Sequence, residues 1–115
     1  MRLTQKEQER LLMFNLAELS RRRLRRGLHL NYIEAAAIIS DELLERAREG
    51  KMGVRDLTEL GARIITLEDV LEDTPKLLPT LQLEVLLPDG NKLVTIHNPI
   101  SLATREEAEK NLLTM

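Results

Sequence analysis

Two histidines, His29 and His97, are the only imidazole groups in the 115-residue sequence, and cysteine is absent. A catalytic zinc ion takes about three protein ligands, and a dinuclear centre needs more. The histidines fall in different expected elements: His29 lies in a loop between helices, and His97 is a hydrogen-bonded residue at a strand end. Carboxylates would have to complete any cluster, so the sequence predicts no metal bound by this chain.

Nucleophilic and acid–base catalysis also lack the residue patterns that they need. Ser20, Ser40 and Ser101 occur without a Gly-x-Ser-x-Gly elbow or a nearby histidine to activate them. Several acids occupy helical positions that are expected to face solvent, which favours a solvated surface over general acid or base work. These acids are Asp41, Glu42, Glu45, Glu49 and Glu59. No catalytic or cofactor-binding residue is therefore predicted.

The basic run Arg21-Arg22-Arg23-Leu24-Arg25-Arg26 is the one local feature that points toward nucleic acid. Clustered guanidinium groups release counterions from phosphates. A net charge of −2 and a content of one Tyr, one Phe and no Trp count against this function. Arginines at a helix end also compensate the helix dipole and make forked contacts with carboxylates. We expect a dipole-compensating or interface role, with a nucleic-acid-binding module as the alternative.

Length and composition indicate one folded domain. The chain is 43% hydrophobic and 31% charged, which suits a soluble protein with one modest core. The absence of cysteine excludes disulfides and fits a cytoplasmic location. The N-terminal residues lack an apolar signal region, and no stretch approaches the length of a membrane span, so neither secretion nor membrane insertion is expected.

A capping signal predicts a first helix. Thr4 followed three residues later by Glu7 forms a capping box, in which each side chain satisfies the free backbone N–H of the other residue. Gly27 can take the left-handed conformation that closes the helix. The residues expected to form its apolar face are Leu12, Leu16 and Leu19.

The same signal recurs at Asn31 and Glu34 and predicts a second helix, which Gly50 ends. This helix should pack against the first as an antiparallel partner. Its expected apolar stripe is Ala36, Ile39, Leu43 and Ala47.

Two short helices are expected next. The first is ended by Gly61, and the second follows a cap at Thr66, covers residues 67–71 and ends before Thr74-Pro75, because a residue that precedes proline avoids the helical conformation. The apolar residues of the first short helix are Val54, Leu57 and Leu60.

After these helices, the spacing of the hydrophobic residues changes from a helical period to every second position. Leu81, Leu83, Val85 and Leu87 alternate with more exposed positions, Pro88-Asp89-Gly90-Asn91 supplies a turn, and residues 92–97 are rich in β-branched side chains. The sequence thus predicts an α+β fold, in which a bundle of three to four helices precedes one antiparallel β-hairpin that leans on them. Residues 1–100 form the expected domain, and residues 101–115 a C-terminal tail with a possible helix from Thr104 to Met115.

A series of short segments carries a family resemblance. In order they are Met1-Arg2-Leu3-Thr4 with Glu7, Arg26-Gly27-Leu28, Leu30-Asn31-Tyr32, Glu34-Ala35 and Ala47-Arg48-Glu49-Gly50-Lys51. Residues 88–100, with the sequence PDGNKLVTIHNPI, form the longest and most specific segment. Together these segments resemble the urease gamma subunit, a small non-catalytic component of a nickel enzyme. The resemblance covers residues 1–100.

This resemblance implies that the chain assembles with a beta and a large alpha subunit, that the heterotrimers join threefold, and that the complex hydrolyses urea to ammonia and carbamate. It places the nickel in the alpha subunit and implies no catalytic residue, cofactor or metal in this chain. The expected contribution is interface area, and the candidate interface residues are Arg21, Arg22, Arg25, Arg26, Asn31, Tyr32, His97 and Asn98.

Departures from the family pattern leave a second hypothesis open. Arg46 stands where the family usually has glycine, residues 71–79 keep the shape of a family turn with different residues, and the tail extends past the usual end. A diverged scaffold domain that serves another complex is the alternative to a working urease subunit.

Overall fold

The structure, a computed structural model, describes residues 1–109, and side chains up to residue 107. It confirms the α+β arrangement, in which the helices come first and a two-stranded antiparallel sheet follows. The elements are α1 (Gln5–Arg25), α2 (Tyr32–Glu49), α3 (Val54–Gly61), a 3-10 helix (Leu67–Asp69), α4 (Thr74–Leu77), β1 (Thr80–Leu87), β2 (Gly90–His97) and α5 (Arg105–Glu109).

Reciprocal caps begin the two long helices, as the sequence predicts. Glu7 N donates to Thr4 Oγ1 at 3.1 Å, and Thr4 N donates to Glu7 Oε1 at 2.8 Å. The backbone hydrogen bond from Thr4, assisted by its hydroxyl, holds the pKa of Glu7 below its ordinary value. Asn31 and Glu34 repeat the arrangement at α2 with distances of 2.8 and 2.9 Å. These bonds satisfy backbone donors that have no partner inside the helix.

The face that α1 turns toward α2 differs from the predicted one. Leu12 is 66% exposed and Leu19 is 43% exposed, whereas Leu16 is half-buried and Ala17 is fully buried. The small side chain of Ala17 lets the two helices approach closely. Polar Ser20 can be buried beside it because its hydroxyl donates to the Leu16 carbonyl at 2.7 Å. The prediction that Leu12 and Leu19 belong to the core was therefore wrong.

Helix α2 lies at the centre of the core and contacts α1, α3, α4 and β1. Ile38, Ile39 and Leu43 are completely buried. The predicted stripe is largely confirmed, although Ala36 is only half-buried. Asp41 and Glu42, which were expected to face solvent, are instead buried against α1. Their positions were mispredicted because α2 is covered on more than one side.

The segment after α3 departs from the expected second short helix. Only a 3-10 helix forms at Leu67–Asp69, because Leu30 pairs in parallel with Val70. Leu30 N donates to the Asp69 carbonyl and Leu71 N donates to the Leu30 carbonyl, both at 2.9 Å, which keeps the chain extended here. A helix begins at Thr74, where an exit was predicted. Pro75 fits its first turn, since an N–H is not needed there.

The hairpin is confirmed, with β1 and β2 joined through Pro88 and Asp89 and paired from Thr80↔His97 to Leu87↔Gly90. Its inner face places Val85, Val94 and Ile96 in the core. The sheet lies on α2 and α3, which cover the apolar face that two strands alone cannot hide.

The first residues of the C-terminal tail form hydrogen bonds and an ion pair with the domain. Leu67 N donates to the Leu102 carbonyl at 2.9 Å, and Arg105 Nη1 donates to the Ile64 carbonyl at 3.1 Å. The Arg105 guanidinium also forms an ion pair with the buried carboxylate of Asp69. Helix α5 occupies the beginning of the predicted terminal helix, and the rest of that prediction, residues 110–115, lies outside the described residues.

Gly61 offers a test of the close packing between α3 and the hairpin. A methyl group at this position would overlap the Ile96 Cδ1 atom and lie 3.3 Å from Leu43 Cδ1, and both neighbours are buried. We expect Gly61→Ala to lower the free energy of unfolding by about 1–2 kcal/mol, because overpacking outweighs the gain in helix propensity.

Chemical denaturation would measure this effect, with Gly53→Ala as the control. Nothing lies within 4 Å of a methyl group at Gly53. Equal stabilities of the two variants would contradict the packing argument.

Candidate interaction surface

The structure divides the basic run at the end of α1 into arginines with different surroundings. Residues 21–26 cover the last turns of the helix and its C-cap, so successive side chains point in different directions around the axis. Arg21 is buried, Arg23 is half-buried, and Arg22, Arg25 and Arg26 are exposed. The run is therefore not one continuous basic surface.

Arg21 joins α1 to α2 through buried ion pairs. Its Nη2 atom lies 2.7 Å from Asp41 Oδ2 and 3.0 Å from Glu42 Oε1, and its Nη1 atom lies 3.3 Å from Glu18 Oε2. The side chains of Arg21 and Asp41 are 8% and 5% exposed. Burial alone would lower the pKa of Arg21, but the hydrogen bond with Asp41 and the charges of Asp41, Glu42 and Glu18 together raise it. The guanidinium stays charged.

Two further arginines complete this network. Arg10 Nη1 lies 2.8 Å from Asp41 Oδ1, an ion pair whose geometry does not form a hydrogen bond, and Arg10 Nη2 donates to Glu45 Oε2 at 2.8 Å. Arg46 contacts the second oxygen of Glu42 at 3.5 Å. Three cations thus surround the buried Asp41 and Glu42 carboxylates, so these acids hold the two helices together.

The other arginines of the run differ in whether they have a partner. Arg23 donates to Glu34 at 2.5 Å, and Arg25 lies 3.8 Å from Glu18. Arg22 and Arg26 form no ion pair or side-chain hydrogen bond with any residue whose side chain the structure describes. The guanidinium groups of these two exposed side chains are therefore available to bind a carboxylate or another anion.

The remaining candidate interface residues lie at the beginning of α2 and at the open end of the hairpin. Asn31 uses its side chain to cap α2, and Tyr32 is 40% exposed. His97 is an exposed strand-end residue opposite Thr80, and Asn98 takes a φ of 51° while its N–H donates to the Pro79 carbonyl at 2.8 Å. No described hydrogen bond or ion pair connects His97 or Asn98 with the arginines. The eight candidates are therefore not one contiguous cluster by these contacts.

Exposed apolar side chains on α1 form a feature that the sequence-based candidates omitted. Leu12 and Leu19 project from the side of α1 opposite α2, whereas Leu11 and Phe14 border a groove that Asp41 and Glu45 of α2 also line. Leu12 and Leu19 share one side of the helix, Leu11 and Phe14 are neighbours on another, and exposed apolar groups that lie together mark interaction sites. The sequence contained a signal for this surface, because leucines occur on more than one side of the helix. Such a distribution indicates that the helix is buried on more than one side.

The described residues offer no arrangement suited to metal catalysis. Within residues 1–109, no three side chains of His, Cys, Asp or Glu come together where they could hold a metal ion. His29 and His97 are both exposed and lie in a loop and at a strand end, as predicted. The side chains that the structure describes thus do not fit a nickel centre.

None of the described helices combines the length needed to cross a bilayer with sufficient apolar character.

Arg21 and its neighbour Arg22 provide a matched test of the buried network. Arg21→Met leaves the Asp41 and Glu42 carboxylates without their shared buried partner, so we expect the free energy of unfolding to fall by about 3 kcal/mol. This value is at the low end for a broken buried pair, because Arg10 and Arg46 remain. Arg22→Met, at an exposed position without a partner, should change stability by less than about 0.5 kcal/mol. Urea denaturation would compare the two variants, and similar losses would show that the network does not hold α1 on α2.

Comparison with known proteins identifies a family with similar sequences. The family model for "Urease, gamma subunit" matches residues 1–100. A protein named urease subunit gamma from Natronomonas pharaonis is 50% identical over 110 residues, which cover 96% of this chain and 100% of that protein. The family model ends at residue 100, and the similarity to the relative extends into the tail. With its capped helices, its hairpin and this extent of similarity, the chain belongs to the urease gamma-subunit family.

Proposed function

We propose that this chain is the non-catalytic gamma subunit of a urease, in which it assembles with a beta and an alpha subunit and contributes interface area. The heterotrimers would join threefold, and the complex would hydrolyse urea to ammonia and carbamate in the cytoplasm. Membership of the gamma-subunit family supports this proposal, and the relative from Natronomonas pharaonis carries the same subunit name over its full length.

The observation that carries the proposal is the apolar surface of α1. Leu11, Leu12 and Phe14 are 49%, 66% and 44% exposed on a helix that buried ion pairs join to α2. Apolar side chains already positioned on a folded helix require little further ordering of the backbone when a partner covers them. The chain thus has the properties of a component whose outer surface is completed by other subunits.

The proposal places the nickel and the reacting groups outside this chain. Because the described side chains do not fit a metal centre, no step of urea hydrolysis is assigned to them. The candidate interface residues Arg22, Arg25 and Arg26, with Tyr32, remain exposed and suited to contacts with a partner. Arg21 and Asn31 would act indirectly, since their side chains already hold α1 against α2 and cap α2.

A nucleic-acid-binding module is less well supported by the geometry. Of the arginine run, Arg21 and Arg23 are engaged with carboxylates of the same chain, which removes them from a phosphate-binding surface. The chain has no Phe, Tyr or Trp within residues 20–30 on which a base could stack. The diverged scaffold hypothesis differs from the urease proposal only in the partners that the chain is expected to bind.

Co-expression with candidate alpha and beta subunits tests the proposal. We expect this chain to co-elute with both subunits in size-exclusion chromatography, with nickel and urea hydrolysis in the same peak. Omission of the chain should remove assembly or activity. Elution of the chain alone, beside alpha and beta subunits that assemble and work without it, would contradict the proposal and favour the scaffold hypothesis.

A further inference from the structure

One side of α1 carries a stripe of exposed residues at alternating spacings of three and four. The stripe consists of Leu12, Asn15, Leu19, Arg22 and Arg26, and all five side chains are exposed. A spacing of this kind places side chains along one seam of a helix, as in helix–helix contacts. From Leu12 to Arg26 the seam is about 21 Å long at the rise of an α-helix. It is long enough to accept several turns of a partner helix.

The stripe is chemically divided along its length. Leu12 and Leu19 make its first part apolar, whereas Arg22 and Arg26 make its end basic and lack an ion-pair partner among the described side chains. The other arginines of the run, Arg21, Arg23 and Arg25, lie 2.7, 2.5 and 3.8 Å from carboxylates of the same chain. The unpaired charge is thus confined to the end of the stripe, which indicates what a complementary surface must contain.

The same stripe on a second copy of this chain does not supply that complement. The stripe contains no carboxylate, so two copies packed in parallel would place Arg22 against Arg22. An antiparallel pair would place the arginines against leucine or asparagine. Like charges in contact are unfavourable, and a buried arginine needs a carboxylate. The occupant must therefore be a surface with acidic residues of its own.

From this charge pattern we infer that the stripe is a docking seam for another subunit of the complex, one that presents aliphatic side chains followed by two or more carboxylates. The leucines pack against the aliphatic part, and the two guanidinium groups form forked contacts with the acids. Because the leucines come first along the stripe and the arginines last, the stripe fixes the direction in which the partner lies. A partner in the reverse direction would leave both arginines buried without a carboxylate. This inference rests on the proposed function and specifies its contact surface.

A competition experiment tests the seam with an internal reference. Cells would co-express alpha and beta subunits with equal amounts of the wild-type chain and one variant, and mass spectrometry would measure the ratio of the two in the purified complex. We expect Leu12→Glu/Leu19→Glu to be depleted at least about 30-fold and Arg22→Glu/Arg26→Glu about 10-fold relative to wild type. Circular dichroism of each isolated variant confirms folding, which exposed positions should preserve.

Matched controls separate the seam from general effects of charge. Leu93→Glu makes the same change at a leucine that is 58% exposed on the outer face of the hairpin, and Arg48→Glu/Arg63→Glu makes the same charge change at exposed arginines outside α1 and the stripe. Both controls should be incorporated at close to the wild-type level. Depletion of the controls as strong as that of the seam variants would overturn the assignment of the seam.

The other outcomes are equally decisive. Normal incorporation of the seam variants would overturn this inference and leave the proposed function intact, whereas absence of the wild-type chain from the complex would overturn both. A wild-type dimer in light scattering that Leu12→Glu/Leu19→Glu makes monomeric would assign the stripe to a second copy and overturn the inference. Retardation of duplex DNA that Arg22→Glu/Arg26→Glu abolishes, with incorporation unchanged, would assign it to nucleic acid and likewise overturn it.

Discussion

The structure depends on the buried contact between Arg21 of α1 and the Asp41 and Glu42 carboxylates of α2. A charge removed from water is tolerated only when it is paired and hydrogen-bonded, so these three groups must meet whenever the helices pack. That requirement fixes the rotation of α1 about its own axis. With Arg21 and Ala17 turned inward, Leu12 and Leu19 are necessarily turned outward. The rotation of α1 that places Arg21 in the buried ion pairs therefore also exposes the leucines on the opposite side of the helix.

The sequence was sufficient for features that depend on local interactions. Thr4 with Glu7, and Asn31 with Glu34, determine where the long helices begin, because the capping groups lie three residues apart. The alternating strand residues and the short turn at Pro88-Asp89 likewise specify the hairpin without reference to the rest of the chain.

Features that depend on distant contacts were not predictable in the same way. The pairing of Leu30 with Val70 prevents the helix expected after Thr66, and no local signal reveals it. Hydrophobicity alone placed Leu12 and Leu19 in the core and Asp41 and Glu42 in solvent, and the structure reverses all four positions. In the candidate surface, the residues of the arginine run could be identified but not separated into paired and unpaired groups, since that division depends on acids contributed by α1 and α2.

The outward leucines of α1 also affect what happens to a copy of this chain that has not found its partners. In a single copy, Leu11, Leu12, Phe14 and Leu19 are exposed to the solvent. Chaperones and proteases recognise exposed apolar side chains in the same way whether they come from misfolding or from incomplete assembly. An excess of this chain over its partners would thus be treated by the cell as damaged protein. Subunit proportions can then be maintained by removal of surplus copies, with no dedicated regulator.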